Sequence, residues 1–208
     1  MKIKVCGLTR LEDASLACEL GAWALGFIFY PKSPRYINPE DAAKMIQSLR
    51  AECSNMPILV GVFVNESIES VEAIKSLVGL DLVQLHGDES VSDCESISPL
   101  IKAFRPSSRQ DIEGIKSYLN TVDYLLVDAA VKGVYGGSGQ LSDWSLSKEV
   151  KELGVPLLLS GGLNPDNIEK AWEDVQPFAL DLSSGIESEP GVKDHDRLKK
   201  LFKIGHKL

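Results

Sequence analysis

Eight short apolar runs recur along this chain, near residues 2–7, 24–30, 58–64, 80–86, 100–105, 123–128, 156–160 and 178–183, with amphipathic stretches between them. Several are apolar on both faces, as in Ile58-Leu-Val-Gly-Val-Phe-Val64. Such runs suit parallel strands covered on each side rather than strands with one wet face. The intervening stretches carry helix-start signals. Asn38-Pro39-Glu40-Asp41 offers an N-cap, a proline at the first helical position and acids in the first turn. Asn164-Pro165-Asp166 repeats that pattern, and Asn65-Glu66 is a weaker version of it. About eight strand–helix units is the arithmetic of a compact α/β TIM barrel, a (β/α)8 fold. A doubly wound open sheet is the alternative, because strand order cannot be read from the runs themselves. No Pro- or Gly-rich linker interrupts residues 1–208, which predicts a single domain. A chain of this length can bury roughly 70% of its unfolded surface, enough for one substantial core.

Charge and cysteine usage narrow the function classes. The net charge of −8 argues against nucleic acid as the main partner, which would need a basic face. It leaves room for an anionic small molecule, since backbone N–H groups and helix dipoles can hold phosphate locally. The longest apolar run, Gly21 to Tyr30, is about half of what a membrane helix needs, and no apolar stretch follows a basic head. Cys6, Cys18, Cys53 and Cys94 show neither a CxxC pair nor zinc-ligand spacing. The expectation is a cytoplasmic protein with reduced thiols and no membrane partner.

The ends of the runs carry the chemistry. Lys2-Ile-Lys-Val-Cys6 breaks into Gly7-Leu-Thr9, so a thiol stands at the C-terminal end of the first strand. Catalytic groups in barrels come from such ends. A partly exposed thiol there can act as a general base once its pKa is lowered. Tyr124-Leu-Leu-Val-Asp128 ends on a carboxylate. The next clear helix begins only near Ser142, so helix capping explains Asp128 poorly and a group facing the pocket explains it better. Gly161-Gly162 and Ser183-Ser184-Gly185 follow the seventh and eighth runs, where barrels frequently build a phosphate site from backbone amides.

Other positions are less specific. Arg35 lies in the proline-stiffened loop Tyr30-Pro-Lys-Ser-Pro-Arg-Tyr36 and has the planar donor set that suits a carboxylate. Alternation puts His86 on the face of Gln84, as a pocket wall rather than a catalyst. His195 and His206 fall in the C-terminal helical segment and look uninvolved. Cys18, Cys53 and Cys94 fall in helical segments and are assigned to packing or surface. Alternation that points Cys6 inward also points Lys4 inward, where a buried ammonium needs a partner. Asp181, on the strand expected to close against the first, is the candidate. Lys4 and Lys102 both lie too deep for Schiff-base chemistry. The glycine-dense Gly133–Gly139 stretch reads as a rim loop.

Taken in order, Lys4-Val-Cys-Gly-Leu-Thr9, Ser33-Pro-Arg-Tyr36, Val83-Gln-Leu-His-Gly87, Leu126-Val-Asp128, Gly136-Gly-Ser-Gly139, Ser160-Gly-Gly-Leu-Asn164, Asp181-Leu-Ser-Ser-Gly185 and Pro190-Gly-Val-Lys-Asp194 resemble the phosphoribosylanthranilate isomerase family from the first strand to the last helix. The resemblance implies an Amadori rearrangement in tryptophan biosynthesis, without metal, nicotinamide or flavin. It implies Asp128 as general acid at the furanose ring oxygen and Cys6 as general base at C2. Arg35 would hold the anthranilate carboxylate. Amides around Gly161, Gly162, Ser183, Ser184 and Gly185 would hold the phosphate, and Asp181 would contact a sugar hydroxyl. The partner implied is a small phosphorylated substrate, with the oligomeric state open between monomer and homodimer. Two other readings compete. One is a related sugar isomerase or epimerase, which would want an aspartate at the place of Cys6 or a set of metal ligands. The other is a barrel that binds a phosphorylated metabolite without turnover.

Overall fold

A computed structural model describes residues 1–128 and 144–207. Eight parallel strands, β1 (Ile3–Cys6), β2 (Ala24–Ile28), β3 (Ile58–Phe63), β4 (Leu82–Leu85), β5 (Leu100–Phe104), β6 (Tyr124–Asp128), β7 (Leu157–Ser160) and β8 (Ala179–Leu182), pair in chain order. The sheet closes where β8 meets β1, with Lys4 opposite Asp181 in register. Closure decides between the two architectures that the runs allowed, in favour of the barrel. Around it lie α1 (Leu11–Glu19), α2 (Pro39–Glu52), α3 (Ile68–Val78), α4 (Val91–Glu95), α5 (Arg109–Ile115), α6 (Ser145–Lys151), α7 (Ile168–Val175) and α8 (His195–Gly205). Among the described residues no helix is long and apolar enough to cross a membrane.

The strands are apolar on both faces because both faces are buried. Outward residues such as Val5, Leu25, Leu85, Val127, Leu159 and Leu180 form the main core against the helices. Inward residues form a smaller cluster, Ala24, Val60, Leu82, Ile101, Leu126, Leu158 and Ala179 among them. Below this plug, Trp23, Tyr124 and Phe178 make a floor of edge-on and tilted rings with centroids 5.4–5.8 Å apart, within the range of favourable aromatic pairs. A plugged interior leaves the space above it, at the C-terminal ends of the strands, as the place where polar groups can face an open mouth.

Local signals explain most helix starts and correct some expectations. Asn38 Oδ1 accepts from Glu40 N–H at 2.9 Å, and Pro39 opens α2 as its position predicts. Asn164 does not cap a helix: its side chain closes a turn onto Asp166 N–H, and α7 starts later, at Ile168. The cap of α3 is Ser67, not Asn65. Asn65 instead takes a left-handed conformation, φ 52°, and its Oδ1 accepts from Asp88 N–H across to the next loop. After β8 a hairpin unforeseen in the sequence, β9 (Glu187–Glu189) and β10 (Val192–Lys193), folds back before α8. The expected rim loop Gly133–Gly139 lies outside the described residues.

The cysteines divide differently from expectation. Cys18, in α1, and Cys53, at the end of α2, lie side by side with Cα atoms 6.6 Å apart, within the reach of a disulfide. Their separation of 35 residues hid a contact that only helix packing creates. Cys6 and Cys94 are free and buried.

Lys4 is fully buried inside the barrel, and its ammonium donates to Asp181 Oδ1 at 2.8 Å. Removing one partner of such a pair strands the other charge. Lys4→Met is therefore expected to cost about 3–5 kcal/mol in denaturant unfolding. A loss below about 1 kcal/mol, the level of a solvent-exposed pair, would show that Asp181 does not depend on Lys4.

Candidate active site

Two-residue alternation carries each strand's inward face upward past the apolar plug. Leu126 gives way to Asp128, Leu158 to Ser160, Ala179 to Asp181 and then Ser183, Leu82 to Gln84 and then His86, and Lys4 to Cys6. A polar layer thus caps an aliphatic one, and it contains most of the residues singled out from the sequence. Two buried oxygens in this layer, Gln84 Oε1 and Ser183 Oγ, have no hydrogen-bond partner among the described residues. Unpaired buried polar atoms are costly, and a bound molecule with donors would relieve that cost.

Cys6 is 6% exposed and sits against Gly26, where an added Cβ would stand 2.8 Å from its Sγ and 3.2 Å from Lys4 Nζ. Glycine at position 26 is what lets thiol and ammonium meet there. Burial pushes the Cys6 thiol up from its ordinary value, while the neighbouring Lys4 ammonium pulls it down and the Asp181 carboxylate adds to the rise. The net direction is upward, contrary to the lowered pKa expected for a base at this position. Desolvation outweighs the two cations that pull the other way, Lys4 and, more weakly, Lys193. Lys4 itself stays charged: burial opposes its ammonium, but Asp181 and Cys6 hold its pKa above the usual lysine value.

Asp128 ends β6 and is shared by two neighbours. His86 Nε2 lies 3.9 Å from its Oδ2, and Arg105 Nε lies 3.5 Å from the same oxygen. Gln84 Nε2 donates to His86 Nδ1 at 2.7 Å, so the neutral ring carries its proton on Nε2, the nitrogen facing Asp128. Burial first, then the positive charge of Arg105, lowers the His86 pKa from 6.5 to about 4. His86 also responds to Asp181 and Lys4, the groups that act on Cys6. Thiol and carboxylic acid therefore belong to one connected set of charges. Arg105 gave no sequence signal, since it is the first residue past β5 with its side chain 62% exposed.

The glycine and serine loops after β7 and β8 pack backbone on backbone. A Cβ at Gly185 would collide with the Leu163 carbonyl and stand 2.9 Å from Asn164 Cβ. Gly161 and Gly162 take left-handed φ values of 98° and 66°, and a side chain at Gly162 would project into open space. Gly7, φ 75°, joins this corner to the Arg35 loop: its added Cβ would lie 2.7 Å from Arg35 Cδ and 3.0 Å from Ser183 Oγ. Ser184 opens a single helical turn, Ser184–Ile186, directly after β8. Arg35 reaches the same rim, where its Nε and Nη2 bind the carboxylate of Glu187 at 2.7–3.0 Å. Glu187 and its partner Lys193 were absent from the sequence-based candidates. Among the described residues, no group of three or more His, Cys, Asp or Glu side chains is placed to hold a metal ion.

Comparison with known proteins agrees over nearly the whole chain. A family model described as N-(5'-phosphoribosyl)anthranilate (PRA) isomerase matches residues 3–204. A protein of Syntrophus aciditrophicus named N-(5'-phosphoribosyl)anthranilate isomerase is 46% identical, over 97% of this chain and 85% of its own length. The crystal structure of phosphoribosyl anthranilate isomerase from Thermotoga maritima superposes with a TM-score of 0.89 at 44% identity, covering 100% of both chains. A phosphoribosyl anthranilate isomerase in complex with reduced 1-(o-carboxyphenylamino)-1-deoxyribulose 5-phosphate superposes with a TM-score of 0.85 at 41% identity, again over 100% of both chains.

The lowered pKa of His86 has a consequence for stability. Above pH 6.5 the imidazole is neutral in both folded and unfolded chains. Between 6.5 and about 4 the unfolded chain takes up a proton that the folded one refuses, so stability falls as pH drops. Replacing His86 by Gln should flatten that slope, by about 3 kcal/mol at the acid end. Parallel slopes for the two proteins in urea unfolding between pH 6.5 and 4 would show that His86 is not held neutral by the fold.

Proposed function

Because the chain belongs to the N-(5'-phosphoribosyl)anthranilate isomerase family, we propose that its polar layer carries out the Amadori rearrangement of N-(5'-phosphoribosyl)anthranilate to 1-(2-carboxyphenylamino)-1-deoxyribulose 5-phosphate, with Cys6 and Asp128 as the proton-transfer pair. What supports this assignment most is that Cys6 and Asp128 end strands β1 and β6 on the same inward face, linked through Lys4, Asp181 and His86.

The chemistry needs one acid, one base and a clamp at each end of the substrate. Asp128, protonated, gives its proton to the furanose ring oxygen as the C1–O bond breaks, and the nitrogen lone pair forms the C1=N bond of the Schiff base. Cys6, as thiolate, then removes the C2 proton. The C2–H electrons become the C1=C2 bond of the enolamine, and the C1=N electrons return to nitrogen. Ketonisation completes the product: the C2 hydroxyl loses its proton as C2=O forms, and the C1=C2 electrons take up a proton at C1. Because the nitrogen receives the electrons, proton transfer and positioning suffice.

The surroundings fit these roles. Lys4 places a permanent positive charge against the sulfur, where it stabilises the thiolate. His86 turns an N–H towards Asp128 and is neutral at pH 7, since burial brings its own pKa down to about 4. The left-handed glycines and the unpartnered Ser183 Oγ form a corner suited to a phosphate, with Ser184 and Gly185 completing the loop. Arg35, at the rim near the β1 and β8 ends, suits the anthranilate carboxylate. Asp181, whose Oδ1 is engaged by Lys4, is placed for a sugar hydroxyl through its remaining acceptor sites. Biosynthetic chemistry on a small phosphorylated metabolite accords with a cytoplasmic enzyme.

The activity is tested directly by mixing the protein with freshly generated phosphoribosylanthranilate and following the loss of anthranilate-type fluorescence. Cys6→Ala and Asp128→Asn are each expected to lower kcat by about 10²–10⁴ with the fold retained. Because burial raises the Cys6 pKa, wild-type kcat/KM should also climb with pH on the alkaline side, and Cys6→Ala should lose that climb. Near wild-type turnover in either variant would remove that residue from the mechanism.

A further inference from the structure

Two buried ion pairs lie outside the mechanism, Lys102–Glu89 and Lys193–Glu187, and the second borders the candidate site. Glu187 and Lys193 face each other across the β9–β10 hairpin with Nζ and Oε1 2.8 Å apart, and their side chains are 4% and 0% exposed. Neither is tied to its partner alone. Lys193 Nζ also donates to the Cys6 carbonyl at 2.6 Å and the Ser183 carbonyl at 3.4 Å, so it grips the ends of β1 and β8 together. Glu187 in turn receives Arg35 side-on: Nε donates to Oε1 and Oε2 at 2.9 and 3.0 Å, and Nη2 donates to Oε2 at 2.7 Å. The hairpin is anchored from behind as well, through Lys193 N–H to Asp13 Oδ2 at 2.9 Å and Arg197 Nη1 to the Glu187 carbonyl at 3.0 Å.

Side-on binding matters because a guanidinium is a planar fork with five N–H donors and two usable edges. Glu187 takes the Nε–Nη2 edge and leaves the Nη1–Nη2 edge for another planar acceptor. The Arg35 side chain is 21% exposed, so part of it is open to solvent. Burial opposes charge on Glu187, but the hydrogen bonds from Arg35 and the Lys193 ammonium outweigh it, and its carboxyl stays below the usual range. Stability alone explains such an arrangement poorly, since a buried ion pair often contributes no more than well-packed apolar residues would.

We propose that Glu187, braced by Lys193, is a positioning residue for substrate recognition: it holds Arg35 by one edge of the guanidinium so that the other edge meets the carboxylate of the aromatic amine. The inference rests on the reading of Arg35 as that clamp. Lys193 couples the aim of Arg35 to the thiol strand and the phosphate loop, so the two ends of the substrate are gripped by parts of one rigid corner.

The test is a double-mutant cycle on the full-length enzyme, read as KM and kcat separately. Glu187→Gln keeps the shape but sets an amide donor against the guanidinium. It should raise KM about 10- to 100-fold, the scale of a lost charge-assisted hydrogen bond, with a much smaller change in kcat. Arg35→Ala should raise KM similarly, and should add little in the Glu187→Gln background. Competitive inhibition by free anthranilate should weaken in Glu187→Gln, whereas inhibition by inorganic phosphate should not. If Arg35→Ala raises KM while Glu187→Gln leaves it unchanged, or if the two effects simply add, the positioning role is overturned and the clamp stands. If Arg35→Ala leaves KM unchanged, the clamp reading fails and this inference with it. Should Glu187→Gln fail to fold, Glu187→Asp retains the charge but withdraws it by one methylene. A raised KM in Glu187→Asp supports the proposal, and an unchanged one overturns it.

Discussion

Inside the barrel, where β8 closes on β1, an ammonium and a carboxylate stand 2.8 Å apart with almost no access to water. Much else in the molecule follows from that contact. It fills the interior directly above the aliphatic plug with charge, so the groups above it sit in a polar layer rather than on oil. It sets a fixed positive charge beside the Cys6 sulfur and a fixed negative one within reach of His86. It also requires glycine at position 26, because any side chain there would press on both Sγ and Nζ. Two charges buried together are an expensive way to close a barrel. Their chemistry, more than their contribution to stability, accounts for their place.

The site is built as two layers of control over protons. Desolvation works against ionising the thiol and against protonating His86. The neutral imidazole turns its N–H towards Asp128 from 3.9 Å. An ammonium beside Cys6 can stabilise the thiolate without serving as a base. Family membership supplies the reaction, and the electrostatics explain how ordinary side chains could be adapted to it. The outer hairpin adds positioning, because Lys193 reaches the backbone of both Cys6 and Ser183 while Glu187 engages Arg35.

The fold was legible because parallel barrel strands announce themselves as runs apolar on both faces, and all eight appear within a few residues of their expected positions. Cys6, Asp128, Asp181 and the two glycine loops were legible because strand ends are where barrels expose chemistry, and Lys4 found the partner that register suggested. What stayed hidden depended on tertiary contact. Strands of three and two residues are too short to show a period, so β9 and β10 were missed, and Glu187 and Lys193 were not among the candidate site residues. Arg105 reaches Asp128 from a neighbouring loop, and Cys18 meets Cys53 only because α1 packs beside α2. The direction of the Cys6 shift was misjudged for a related reason. Sequence places a thiol at a strand end but does not report how dry that end is.

The central claim is that one ribose lies between the Cys6 sulfur and the Asp128 carboxyl. A crystal structure of this protein with reduced 1-(o-carboxyphenylamino)-1-deoxyribulose 5-phosphate bound tests it most directly. The account predicts Sγ within about 3.5 Å of C2 and the Asp128 carboxyl within about 3.2 Å of the C4 hydroxyl, the oxygen that closed the ring. A ligand seated with either group turned away from the sugar, or with the phosphate anywhere but the Gly161–Gly162 and Ser183–Gly185 corner, would contradict it.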